Sequence, residues 1–99
     1  MSRLLGLGMR AGRVVVGVAA VRARLQQGAI KCVVLAADAS DRTLEKVQRL
    51  AQARGVPVLR GPEARELGRR LGRDTEVQAV GIEDHALARG VVESIGGVQ

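Results

Sequence analysis

The spacing of apolar positions switches repeatedly between helical and extended periodicity along the chain. Runs of apolar, mostly β-branched residues predict strands over 13–16, 30–37, 56–59 and 78–82. Apolar residues three and four positions apart predict a helix over 3–11 and one further helix after each strand. Helices and strands are therefore predicted to alternate from one end of the chain to the other.

Glycine, proline and short polar residues mark the predicted helix ends. The segment 38–41 supplies capping side chains and an acidic first turn for the helix that follows it. Pro62 precedes the next helix, and Gly28, Gly55 and Gly72 follow the ends of three helices, where a left-handed residue is common.

This alternation predicts an α/β fold, a three-layer α/β/α sandwich around a four-stranded mixed sheet. The run 30–37 is apolar except for Lys31, which predicts a central strand buried on both faces. The chain has 99 residues, a length that suits a single domain over 1–99.

Composition narrows the classes of function. The chain contains no Phe, Tyr or Trp, so it has none of the aromatic platforms on which many RNA-binding modules stack bases. Cys32 is its one cysteine, so an intrachain disulfide is excluded. We interpret Cys32 as a small core residue and expect the protein in the reducing environment of the cytoplasm. We expect no cofactor, no metal site and no membrane segment.

The net charge of +6 is unevenly distributed along the sequence. Six cations precede the first acidic residue, Asp38, whereas residues 38–99 carry ten basic and ten acidic groups. Fourteen of the sixteen cations are arginine, whose forked donors suit phosphate groups. A polyanion such as RNA is the predicted partner, although a high-GC genome would also enrich arginine over lysine.

The opening stretch LLGLGMRAGRVVVG contains G-x-G-x-x-A, the spelling of a dinucleotide-binding fingerprint. That motif requires a strand before the first glycine and a helix at its end. Here a predicted helix runs through Gly6 and Gly8 and a strand follows, so we interpret the glycines as packing positions. His85, beside Glu83 and Asp84, is interpreted as a first-turn surface residue rather than an acid-base group.

The helix after Gly17 is the strongest candidate for a binding site. Its apolar stripe leaves a face of small and polar residues toward solvent, comprising Ala19, Ala20, Ala23 and Gln27. Arg22 and Arg24 flank that face, one on each edge. A glycine-opened helix end with bordering guanidinium groups can approach a phosphate backbone closely, while an ordinary exposed helix would have the same composition.

Together the ordered segments LLGLGMRAGRVVVG, KCVVLAADAS, RGVPV, ELGRRLG and AVGIEDHALA resemble the ribosomal protein L7Ae/L30e family of kink-turn RNA binders, in particular its bacterial YlxQ-like branch. The resemblance covers nearly the whole chain. It implies a noncatalytic protein that binds structured RNA, with the tip of the helix after the first strand against the sheared G·A pairs. The loop between the third strand and the next helix would support the RNA from the other side.

The resemblance also exposes a departure at the base-reading positions. Aligned on Gly17 and Gly28, the family's Asn, Glu and Lys positions are Ala19, Ala20 and Ala23. Hydrogen bonds to base edges discriminate between sequences, whereas phosphate contacts mainly position the protein. We therefore expect structured RNA to be bound with reduced base specificity and marked salt dependence.

The sequence thus supports two functions of different classes. The leading hypothesis is RNA binding by the following residues: Arg10, Arg13, Gly17, Val18, Ala19, Ala20, Arg22, Ala23, Arg24, Lys31, Arg60, Gly61 and Pro62. The alternative is a protein-interaction module, with ribosome association as one option, in which the exposed alanine face contacts a partner. Enzymatic activity is not expected, and the predicted partners are ribosomal or kink-turn RNA.

Overall fold

The structure of the protein, a computed structural model, describes the backbone of residues 12–96 and the side chains as far as Glu93. The predicted helix over 3–11 and the candidate Arg10 lie outside the described residues.

Helices and strands alternate in the described chain in the predicted order. The strands are β1 (Val14–Val16), β2 (Cys32–Leu35), β3 (Val58–Arg60) and β4 (Ala79–Ile82). The helices are α1 (Val18–Gln26), α2 (Asp41–Ala53), α3 (Ala64–Arg70) and α4 (His85–Gly96). In the part of the chain that the structure describes, no helix has the length and apolar content needed to cross a membrane.

The four strands form one mixed sheet in the order β1-β4-β2-β3. Strand β4 pairs antiparallel with both β1 and β2, and β2 pairs parallel with β3. Strands β1, β2 and β3 therefore run in the same direction and β4 runs against them. The carboxyl ends of β1, β2 and β3 consequently share one edge of the sheet.

Alternate residues of the central strand β2 enter two separate cores. Cys32 and Val34 pack in the core that contains Leu67 of α3 and Val91 of α4. Their neighbours Val33 and Leu35 pack in the other core, with buried residues of α1 and α2. All four β2 residues are buried, so the predicted two-faced strand and the three-layer α/β/α arrangement are both confirmed.

Strand β2 is shorter than the apolar run 30–37 that predicted it. Past Leu35 two backbone hydrogen bonds still follow the β4 and β3 registers, from the Ala36 N–H to the Gln78 carbonyl at 2.9 Å and from the Ala37 N–H to the Pro62 carbonyl at 2.9 Å. Ile30 and Ala36 lie outside the strand and are still buried, which explains why hydrophobicity extends past it, whereas Ala37 is exposed.

Side-chain oxygens satisfy backbone donors at the starts of three helices. The Thr43 N–H of α2 donates to Ser40 Oγ at 3.2 Å, as the predicted cap requires. Asp38, predicted to serve the same helix, instead accepts the Ala64 N–H of α3 at 2.7 Å. At α4, Asp84 Oδ2 accepts the Leu87 N–H at 2.7 Å.

Gly68 lets the segment 73–78, which leads into β4, lie directly against α3. A Cβ at Gly68 would stand 2.1 Å from the carbonyl oxygen of Thr75. Two hydrogen bonds fix the same contact, from the Arg73 N–H to the Gly68 carbonyl at 2.9 Å and from the Val77 N–H to the Ala64 carbonyl at 3.0 Å. The position of this segment therefore depends on residue 68 being a glycine, which has no side chain.

We predict that Gly68→Ala lowers the free energy of unfolding by roughly 1–3 kcal/mol, because the added methyl group meets backbone that cannot turn aside. Helix propensity alone predicts the opposite, a gain of about 0.5–1 kcal/mol. Urea denaturation distinguishes the two, and a higher midpoint for Gly68→Ala would contradict the packing argument. Gly81→Ala is the control: there the added Cβ would meet chiefly the flexible end of Ile30, so a smaller loss is expected.

Candidate nucleic-acid interface

The helix after β1 begins at the sheet edge where β1, β2 and β3 end, and we call its first turn, residues 17–20, the tip. Because those strands are parallel in direction, α2 and α3 begin at the same edge. The segment 73–78 returns to this edge before entering β4. Of these stretches, the start of α2 and the segment 73–78 lie next to the tip.

Gly17 holds the tip in a conformation that other residues rarely adopt. Its φ of 104° and ψ of 149° lie close to a region populated essentially by glycine alone. The Gly17 N–H donates to the Ala79 carbonyl at 2.9 Å, and the Gly17 carbonyl accepts the Val21 N–H at 2.9 Å. A Cβ here would meet nothing within 4 Å, so the requirement for glycine is conformational rather than steric.

The tip presents backbone donors without a capping side chain. Gly17 has no side chain that could accept, and the first turn of α1 contains no acidic residue. The N–H groups of Val18, Ala19 and Ala20 have no acceptor within the described residues. Among the helices described, α1 is the exception, since a side-chain oxygen lies at the start of each of the other three. Its dipole therefore leaves uncompensated positive potential at the tip.

A cavity of about 490 Å³, which we call the tip cavity, opens beside these donors. Its walls carry four cations, Arg22, Arg42, Lys46 and Arg73, against one carboxylate, Glu76. Across residues 12–93, none of these cations forms a salt bridge. Open N–H groups and unpaired cations in one concave site are the elements of an anion-binding site.

Arg42, Lys46 and Arg73 are cations of the tip cavity that the sequence reasoning missed. Arg42 and Lys46 lie four positions apart on α2, a spacing that places them on one helical face. That spacing is visible in the sequence, but the edge at which α2 begins depends on the direction of β2, which only the structure supplies. Arg73 had no comparable signal, since its place depends on the contact between Gly68 and segment 73–78.

Arg24 was predicted to flank the binding face together with Arg22. In the structure it lies at the edge of the sheet opposite the tip. Its guanidinium contacts both carboxylate oxygens of Glu83, the Nη2–Oε1 distance being 3.1 Å, and Nη1 donates to Gln27 Oε1 at 3.1 Å. The hydrogen bond and negative charge of Glu83 raise the pKa of Arg24 above its ordinary value. Arg24 therefore links the last turn of α1 to Glu83, the residue that follows β4, through a salt bridge.

Arg13 and Lys31 also lie away from the tip. The Arg13 carbonyl accepts the Glu83 N–H at 2.9 Å, and the Lys31 N–H donates to the Ile82 carbonyl at 2.7 Å. Both contacts are at the carboxyl end of β4, opposite the tip. The described cations that precede Asp38 are therefore divided between two edges of the sheet. Of these cations, only Arg22 lines the tip cavity.

The loop with Arg60, Gly61 and Pro62 lies on the tip's edge of the sheet but after β3, the strand farthest from β1. The Gly61 N–H donates to the Leu35 carbonyl at 2.7 Å, and Arg60 Nη2 donates to the Ala37 carbonyl at 2.9 Å. These bonds fix the loop against the start of the β2–α2 connection. It does not line the tip cavity.

The predicted exposed face of α1 is confirmed, since Ala19, Ala20, Ala23 and Gln27 are all exposed. Cys32 is fully buried, and this burial raises the pKa of its thiol to about 11. The thiol is therefore protonated near neutral pH, as suits a core residue. Within the described residues, His, Cys, Asp and Glu side chains form no group that could hold a metal ion.

Comparison with known proteins matches residues 1–91 to the model of the ribosomal protein L7Ae/L30e/S12e/Gadd45 family. Among solved structures, a protein of unknown function from Bacillus halodurans C is similar, with a TM-score of 0.90 and 28% sequence identity. That similarity covers 96% of this chain and 95% of the other. No curated protein matches the sequence.

We predict that Gly17→Ala lowers the free energy of unfolding by about 1–3 kcal/mol, because a Cβ is strained at φ 104° whatever the space around it. Gly55→Ala is the matched control. Gly55 also has no neighbour for a Cβ, but its φ of 67° lies in the left-handed range that other residues visit. Urea denaturation should show the larger loss for Gly17→Ala, and equal losses would contradict a special conformation at the tip.

Proposed function

This chain belongs to the ribosomal protein L7Ae/L30e/S12e/Gadd45 family, and from that premise we propose that it binds structured RNA of the kink-turn type through the tip of α1. The protein would act without catalysis or cofactor, as one domain over 1–99, in the cytoplasm. We further propose that it belongs to the family's YlxQ-like branch and that its partner is ribosomal or another kink-turn RNA.

One observation carries this proposal: the uncapped start of α1 opens onto a cavity walled by four unpaired cations. Backbone N–H groups at a helix start bind phosphate oxygens directly, and the helix dipole favours the negative charge. Arginine adds forked donors that match phosphate geometry. A phosphate backbone at the tip would satisfy the donors and neutralise the cations together.

The same geometry supports weak base readout. The resemblance places the family's Asn, Glu and Lys at Ala19, Ala20 and Ala23, and all three methyl groups are exposed. A methyl group cannot hydrogen-bond a base edge, so these positions contribute shape alone. The contacts that remain go to phosphate, which fixes orientation without reading sequence.

The exposed alanine face also allows the alternative, a protein-interaction module that has lost kink-turn readout. An RNA titration at low salt, together with size-exclusion chromatography, distinguishes the two functions. Absence of RNA binding at low salt, together with a stable protein complex on size-exclusion chromatography, would overturn RNA binding and support the alternative.

Substitution of the two arginines of α1 tests the position of the RNA. Arg22→Ala should weaken binding to a kink-turn RNA and reduce the slope of log affinity against log salt by about one, because a cation of the tip cavity is lost. Arg24→Ala removes the same charge from the same helix at the opposite edge and should leave the slope unchanged. Filter binding at two salt concentrations measures both, with circular dichroism confirming that each variant is folded. Equal effects would place the RNA elsewhere.

A further prediction concerns base readout. The triple variant Ala19→Asn, Ala20→Glu, Ala23→Lys should prefer kink-turn RNA over a duplex of equal length by about tenfold more than the unmodified protein does, because a base contact is worth roughly 1–3 kcal/mol. Filter-binding titrations with kink-turn, duplex and single-stranded RNA at two salt concentrations give the comparison.

The triple serine variant at the same positions is the control, since a hydroxyl group adds polarity without the reach of the longer side chains. An unmodified protein that already discriminates as strongly as the triple variant would contradict the proposed loss of base specificity.

A further inference from the structure

A second charged groove adjoins the tip cavity. It lies between α1 and α2 and encloses about 540 Å³. Arg22, Arg42 and Lys46 line both the groove and the tip cavity, so the two are continuous. Arg73 lies in the wall of the tip cavity alone and Arg49 in the wall of the groove alone. The cations therefore form one row that leads away from the tip along the helices.

We propose that the groove between α1 and α2 binds the phosphate backbone of an RNA stem that continues from the tip. This inference rests on the proposed function and adds where the RNA runs beyond the tip. It assigns the groove to phosphate rather than to bases, and to a duplex rather than to a single strand.

Three of the four cations of the groove lack a charged partner among the described residues. Its walls hold four cations and one carboxylate, Glu45, which accepts from Arg49 at 3.2 Å. Arg22, Arg42 and Lys46 form no salt bridge in the described part of the chain. Like charges held together repel, so this cluster works against the folded state unless an anion neutralises it. An extended polyanion satisfies a whole row of cations where a small anion satisfies only part of it.

Arg22 adds a donor that needs an acceptor. Its Nε atom is buried and has no hydrogen-bond partner within the described residues. Buried polar atoms in folded proteins are nearly always hydrogen-bonded, and those that are not require an explanation. Arg22 lines both the tip cavity and the groove, so a rotation of its side chain toward a bound phosphate would give Nε an acceptor.

The rest of the groove favours a duplex. Binding of single-stranded RNA relies on stacking bases against aromatic side chains, and this chain contains none. Between its cations the groove offers the aliphatic side chains of Leu50 and Ala53. A duplex presents its phosphates in a regular outer row and keeps its bases stacked, so it requires cations alone.

The chain provides a matched pair of variants for the test. Arg49 and Arg89 are both exposed arginines in i,i+4 salt bridges, with side chains 81% and 76% exposed. Arg49 lines the groove and Arg89 lies on α4, away from it. Arg49→Gln and Arg89→Gln therefore each remove one positive charge from an exposed helical ion pair, and only Arg49 lines the groove.

Binding would be measured with three kinds of RNA that share one kink-turn core. The short RNA carries the core alone. In the others, one stem at a time is extended either by one helical turn of duplex or by a single strand of equal length. Duplex extension of one stem should tighten binding to the unmodified protein. Arg49→Gln should weaken binding to that extended RNA by roughly fivefold and reduce the salt slope by about one, with no change for the short RNA. Arg89→Gln should behave as the unmodified protein.

Glu45→Gln gives a result of opposite sign. Removing the one carboxylate of the groove should tighten binding to the extended RNA by a few-fold, while Glu93→Gln, the partner of Arg89, should have no effect. A Glu45→Gln variant that binds the extended RNA no better than the unmodified protein would contradict the groove assignment.

The outcomes separate this inference from the function on which it rests. Binding of the short RNA without a gain from duplex extension, or equal effects of Arg49→Gln and Arg89→Gln, would overturn the groove alone. An equal gain from single-stranded extension would overturn the assignment to a duplex. Absence of binding to every RNA would overturn the tip and the groove together.

Discussion

The arrangement of the whole molecule depends on β4, which pairs antiparallel between two strands that run the other way. Its backbone joins β1 to β2, and the Ala79 carbonyl at its start receives the Gly17 N–H. Because β4 fills the gap between β1 and β2, the ends of β1, β2 and β3 stay at one edge, and α1, α2 and α3 all begin there. The candidate interface is a consequence of that pairing.

The positive site arises from a contrast between helix starts. Ser40, Asp38 and Asp84 satisfy donors at α2, α3 and α4. At α1 a glycine occupies the corresponding place, because only glycine adopts the backbone conformation that turns the chain from β1 into the helix. The residue that shapes this turn is thus one that cannot cap it. The uncapped donors and the cations around them are set by the same local constraint.

Charge along the sequence and charge in space have different distributions here. The excess of cations falls within residues 1–37, yet three of the four cations of the tip cavity come from α2 and segment 73–78. Arg22 and Arg24 illustrate the reason within one helix. Two positions along a helix correspond to a rotation of about 200°, so one arginine lines the cavity beside α2 and the other pairs with Glu83.

The sequence by itself determined the order of elements, the two-faced burial of β2 and the exposed alanine face of α1. Each of these follows from periodicity, which is a local property of neighbouring residues. Local signals also placed Gly17 and the Ser40 cap. Only the tertiary structure decided which cations meet, because that depends on strand order and on the close contact of segment 73–78 with Gly68. Contacts between distant segments are fixed by packing and backbone pairing, and no pattern within one segment contains them.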